Sequence, residues 1–119
     1  MNKKRVSKLY IKDILDSIKS ICKYTNGLSF KAFRSKKIVI DAVVRNFEII
    51  GEAAKNVSEN VKYIQPGIPW KEMSGMRNKI IHEYFGIDLD IIWKTIQGLP
   101  DLETAFKKIY YAKGNKPKI

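Results

Sequence analysis

The stretch Arg77-Asn78-Lys79-Ile80-Ile81-His82-Glu83-Tyr84 gathers the side chains best suited to chemistry in this chain. His82 is its only histidine, and an imidazole is the side chain whose ordinary pKa lets it move protons near neutrality. Arg77 stands five positions before it, Asn78 one helical turn before it and Tyr84 two positions after it. A histidine and an arginine are sufficient parts for cleaving an RNA phosphodiester without a metal. The 2′-hydroxyl is a nucleophile already in place and needs its proton removed, while the departing 5′-oxygen needs one supplied. His82 suits either transfer. Arg77 suits the non-bridging phosphate oxygens and the charge that builds on them in the transition state. Asn78 suits an amide hydrogen bond to the phosphate or to the imidazole. One histidine does not easily serve as both base and acid in one turnover; a symmetric dimer that brings two copies of His82 to one cleft would resolve this. The competing reading is a lone helical histidine with a structural or surface role.

These residues fall on a predicted helix over 70–84. On an ideal helix Trp70, Met73, Met76, Ile80, Ile81 and Tyr84 share the core side, and Asn78 and His82, at i and i+4, share another face with Lys71 and Gly75. Arg77 does not line up with His82, because five positions turn a helix by about 140°; it starts near the apolar side and would have to snorkel outward. Tyr84 reads either as core filler with a polar tip or as an exposed hydroxyl open to modification.

The elements that must position this segment are also helical. Tyr10, Ile14, Ile18 and Ile21 mark an amphipathic helix over 7–24 that Gly27 terminates. Ser29 caps a short helix. The longest predicted helix runs over 36–60, with Val39, Val43, Phe47, Ile50, Ala54 and Val57 as its apolar stripe. Beside that stripe Asp41, Arg45, Glu48 and Glu52 form a charged one, either a solvated face laced with ion pairs or a cleft wall facing the motif helix. Gly51, costly in mid-helix, suits the close approach of another helix. Gln65-Pro66-Gly67-Ile68-Pro69 reads as a turn. Asp88 caps a last helix to about Tyr111, with a break at Gly98-Leu99-Pro100. Long amphipathic helices with short connections predict an all-α antiparallel bundle.

Composition narrows the function classes. The 119 residues suit one domain, with basic ends about 1–6 and 113–119 expected to be flexible. Lys and Arg number 23 against 12 Asp and Glu, a net charge of +11, which favours a polyanion such as nucleic acid, or an acidic protein partner. Cys22 is the single cysteine, so no internal disulfide forms, in keeping with a reducing cytoplasm. No apolar run reaches membrane-spanning length and the basic start lacks the apolar stretch of a signal peptide. One histidine and one cysteine make a protein-held zinc site untenable, and no phosphate-binding glycine loop or other cofactor motif is present, so neither metal nor cofactor is expected.

The segment from Ile68 to Asp88, IPWKEMSGMRNKIIHEYFGID, resembles the signature of the HepT-like toxins, which belong to the HEPN superfamily of small helical ribonucleases. DAVVRNFEIIGEAA over 41–54 resembles the long helix of that family, and YTNGLSF over 24–30 the segment after its first helix. The resemblance spans roughly Leu9 to Tyr110. It implies that Arg77 and His82 are catalytic residues of a metal-independent endoribonuclease, with Asn78 in support. It implies that Tyr84 is the site where a minimal nucleotidyltransferase antitoxin attaches AMP and silences a type VII toxin. It also implies an all-α bundle that dimerises with two motifs facing one cleft. The alternative from another class is a non-catalytic helical protein that binds RNA or docks a nucleotidyltransferase.

Overall fold

The computed structural model describes residues 5–79 and 88–112. Among them there are helices and no strand, as the amphipathic spacing requires. In chain order they are α1 (Ser7–Thr25), α2 (Phe30–Arg34), α3 (Lys37–Asn56), α4 (Glu59–Ile64), α5 (Trp70–Ser74), α6 (Leu89–Gln97) and α7 (Leu99–Tyr110), with helical geometry also over 76–79. No helix among the described residues is long and apolar enough to cross a membrane.

The core forms where the apolar stripes of α1 and α3 meet. From α1 come Ile11, Ile14, Leu15, Ile18 and Ile21, and from α3 Ile40, Val43, Val44, Phe47, Ile50 and Ala54, all buried at three- and four-residue spacing. Helix α7 covers the other side of α1 through Phe106 and Ile109, and α5 lies on α3. Phe33, fully buried, docks α2 onto α6 by packing against Trp93 at 5.0 Å between ring centroids. Trp70 seats the start of α5: its Nε1–H donates to the Gln65 carbonyl at 3.0 Å and its ring meets Phe106 edge-on at 5.5 Å.

Local chemistry sets several helix ends. Gly27 follows α1 with φ +78°, the left-handed geometry that an L side chain resists. The Ser29 hydroxyl accepts from the Ala32 amide at the start of α2. Gly98 separates α6 from α7, and Pro100 sits in the first turn of α7, where its missing N–H costs nothing.

Three boundaries differ from the sequence reading. The long helix stops at Asn56, not at residue 60, because Val57 turns extended (ψ 139°) and buries its side chain. The Ser58 amide then donates to the Ser7 hydroxyl at 2.9 Å, fifty-one residues away in sequence, while the Ser58 hydroxyl caps α4 by accepting from Val61. The predicted continuous helix from Trp70 is interrupted at Gly75, whose amide bonds back to the Lys71 carbonyl before Lys79 bonds to Gly75 and helical geometry resumes. Asp88 precedes α6 but its side chain makes no capping hydrogen bond. The buried hydroxyl of Thr25 donates to the Ile21 carbonyl at 2.8 Å, and no buried side-chain polar atom among the described residues lacks a partner.

Candidate active site

Helix α5 carries the chain across α3 and delivers Arg77 and Asn78 two and three residues beyond the Gly75 interruption. Trp70 and Met73 are buried and Met76 is half-buried, which holds one side of this segment on the core; Arg77 and Asn78 are exposed. The segment thus keeps the apolar side that the spacing predicts up to Met76. His82 and Tyr84 lie outside the described residues.

Arg77 opens into a groove of about 240 Å³. One wall comes from the start of α1, with Arg5, Tyr10 and Asp13. The other is α3, with Arg45, Glu48, Ile49, Glu52 and Ala53. Three of the four members of the charged stripe on α3 therefore share one groove with Arg77. The stripe also carries ion pairs: Arg45 lies 3.7 Å from Glu48 and Lys37 3.2 Å from Asp41. It is both a solvated ion-pair face and a cleft wall.

The three arginines of the groove are not equivalent. Arg5 donates to Asp13 at 2.7 Å and its guanidinium lies 4.7 Å from the centre of the Tyr10 ring. The hydrogen bond to Asp13, with the carboxylate's charge, raises the Arg5 pKa further above its already high value. Arg45 has the Glu48 carboxylate at the edge of salt-bridge range. Arg77 lines the groove, and its side chain makes no hydrogen bond or ion pair with another described residue. A guanidinium carries a planar fork of donors that matches the oxygens of a phosphate or carboxylate.

The α1 wall was not foreseen from the sequence. Arg5 reads there as part of a basic tail, yet it turns back onto α1; its pairing with Asp13 spans eight residues, a separation with no helical signature, and its place opposite α3 depends on how the two helices pack. Among the described residues there is no cluster of His, Cys, Asp and Glu able to hold a metal ion. Cys22 is a free thiol, half-buried against the core, and burial, followed by the charge of Glu103, raises its pKa.

Comparison with known proteins agrees with this architecture. Residues 14–109 match the family described as "Ribonuclease HepT-like". The chain is similar to the "Probable ribonuclease HepT" of Thermococcus cleftensis, 43% identical over 107 residues that cover 89% of this chain and 97% of that one. It is similar to the "Putative RNase TTE0752" of Caldanaerobacter subterraneus, 42% identical over 101 residues covering 84% and 90%. It is also similar to the "Putative RNase MJ1216" of Methanocaldococcus jannaschii, 38% identical over 107 residues covering 89% and 88%. No solved structure matched the chain. With a helical bundle that sets Arg77 at the edge of a charged groove, and a family match over most of its length, this chain belongs to the HepT-like ribonuclease family.

Proposed function

We propose that this protein is a metal-independent endoribonuclease toxin of the cytoplasm in which Arg77 and His82 act on the scissile phosphate. The observation that carries this reading is the placement of Arg77: exposed, clear of carboxylate partners among the described residues, and opening into a groove, in a chain of the HepT-like ribonuclease family. The net charge of +11 draws RNA to the surface by counterion release. His82 of one subunit removes the proton from the 2′-hydroxyl, whose oxygen attacks the phosphorus. Arg77 holds the non-bridging oxygens while negative charge accumulates on them, and Asn78 adds an amide donor. The bond to the 5′-oxygen breaks as His82 of a second subunit protonates it, leaving a 2′,3′-cyclic phosphate and a free 5′-hydroxyl. The protein is accordingly a homodimer with a shared cleft.

Silencing falls to Tyr84. Its phenolic oxygen attacks the α-phosphate of ATP in the site of a partner minimal nucleotidyltransferase antitoxin, forms a tyrosyl-AMP ester and releases pyrophosphate. The added phosphate brings negative charge two residues from His82, where it competes with the RNA backbone for Arg77.

RNA incubated with the purified protein and excess chelator tests the catalytic reading. Cleavage with cyclic-phosphate ends is expected, and Arg77→Ala and His82→Ala are expected to abolish it while leaving the helical circular dichroism intact. If unmodified wild type and both variants are equally inert, the chain is a non-catalytic RNA-binding or nucleotidyltransferase-docking protein. A mass gain of whole AMP units with antitoxin and ATP, absent in Tyr84→Phe, tests the acceptor. A monomer by light scattering at assay concentration would remove the two-histidine scheme.

A further inference from the structure

We infer that Gly51 is a positioning residue for Arg77, a place on α3 where the backbone of the segment bearing the arginine sits directly against the helix. This inference rests on the catalytic reading of Arg77 and adds what fixes that residue in space. Gly51 is buried in the interior of α3, a location where glycine weakens a helix. A β-carbon on it would lie 3.0 Å from the Arg77 backbone nitrogen, 3.3 Å from the Met73 carbonyl oxygen and 3.4 Å from the Arg77 β-carbon. Two of those three neighbours are backbone atoms, which cannot rotate away as a flexible side chain can. The contact therefore sets the distance between α3 and the turn from Met73 to Arg77.

The surroundings tie this contact to the groove. Ile49, Glu52 and Ala53, which flank Gly51 on α3, line the same cavity as Arg77. With the Arg77 backbone and β-carbon held against Gly51, the rest of its side chain leaves the core contact and reaches the groove, which resolves why a residue starting near the apolar side is exposed. A methyl group at position 51 pushes this segment out by a few tenths of an ångström and carries the guanidinium with it. Orientation at a reacting phosphate tolerates little such movement.

Gly51→Ala is the test, with Gly67→Ala as the control. A β-carbon at Gly67 meets nothing within 4 Å, and its φ lies outside the left-handed region. In amide-resolved NMR of isotope-labelled protein, Gly51→Ala is expected to move the Arg77 and neighbouring resonances beyond those around the substitution itself. On a mixed-sequence RNA oligomer with chelator present, kcat is expected to fall about tenfold with KM within about twofold, an effect of orientation rather than of binding. Gly67→Ala is expected to keep wild-type turnover. An unmoved Arg77 amide, or unchanged kcat in folded Gly51→Ala, overturns the inference. Should Gly51→Ala fold poorly, both measurements are made in trimethylamine oxide, which favours the compact state. Turnover that stays low in the refolded protein supports positioning, whereas turnover that recovers in step with folded fraction shows a merely structural role. An inert wild type overturns the ribonuclease reading, and positioning for that reaction with it; the NMR shift then reports the packing contact alone.

Discussion

Replacing Trp70 with phenylalanine tests how the core is joined to the segment that bears Arg77. The indole is 7% exposed, donates to the Gln65 carbonyl at 3.0 Å, and meets Phe106 edge-on with an interplanar angle of 89°. Phenylalanine keeps a ring for Phe106 but loses the N–H, and a neutral hydrogen bond of this kind contributes about 1 kcal/mol net. The Gln65 carbonyl also accepts from the Ile68 amide at 3.3 Å, so it is not left without a partner and that penalty stays at the low end. The lost ring volume adds roughly 1–2 kcal/mol, because the pocket between α5 and α7 collapses only in part. The sum is about 2–3 kcal/mol. With a urea dependence of about 1–3 kcal/mol per molar for a small domain, the unfolding midpoint should fall by about 0.7–3 M at unchanged slope. Equilibrium urea unfolding followed by far-ultraviolet circular dichroism reads this without relying on the altered tryptophan signal. A midpoint within experimental error of wild type would refute the claim that Trp70 anchors α5. Trp70→Ala, which also removes the contact with Phe106, should cost about 3–5 kcal/mol.

Other perturbations probe separate parts of the reasoning. Phe33→Ala empties a fully buried site against Trp93 and should cost about 3–5 kcal/mol in thermal or urea unfolding; a much smaller loss would mean that α2 is not docked as described. Gly27→Ala places a β-carbon at φ +78° and should destabilise by about 1 kcal/mol, through backbone strain alone, since nothing lies within 4 Å of that position. The Cys22 thiol has its pKa raised by burial, so the folded chain retains the proton to higher pH than the unfolded chain does. Its contribution to stability is therefore fully present below the unfolded thiol pKa and is lost as pH rises through the folded value. Iodoacetamide alkylation of native protein should show a pH midpoint above that of the denatured chain, and coincident midpoints would contradict the burial of the thiol.

The groove gives the ribonuclease reading a physical frame that composition alone lacks. A net charge of +11 is spread over the whole chain and draws any polyanion. Within the groove arginines and carboxylates alternate: Arg5 is held by Asp13, and Arg45 lies beside Glu48. Arg77 lines the same groove and makes no side-chain ion pair with another described residue.

The sequence alone determined the helices, because the features that make them are local. The spacing of Ile11 to Ile21 and of Ile40 to Ala54, the glycine after α1 and the serine cap before α2 all act within a few residues, where a linear reading sees them. The family was legible as well, since the segment that carries the resemblance is continuous in the chain. Tertiary structure decided what local propensity leaves open. Val57 could have continued α3, but the Ser58 amide finds the Ser7 hydroxyl and the helix ends at Asn56. Arg5 could have trailed in solvent, but it pairs with Asp13 and walls the groove. Gly51 could only be read as room for a neighbour, and the fold determined that the neighbour is the backbone of Arg77. The contacts at Ser58 and at Gly51 join residues far apart in sequence, and their energy exists only once the helices have packed together, while the Arg5 pair links the segment before α1 to the helix across eight residues.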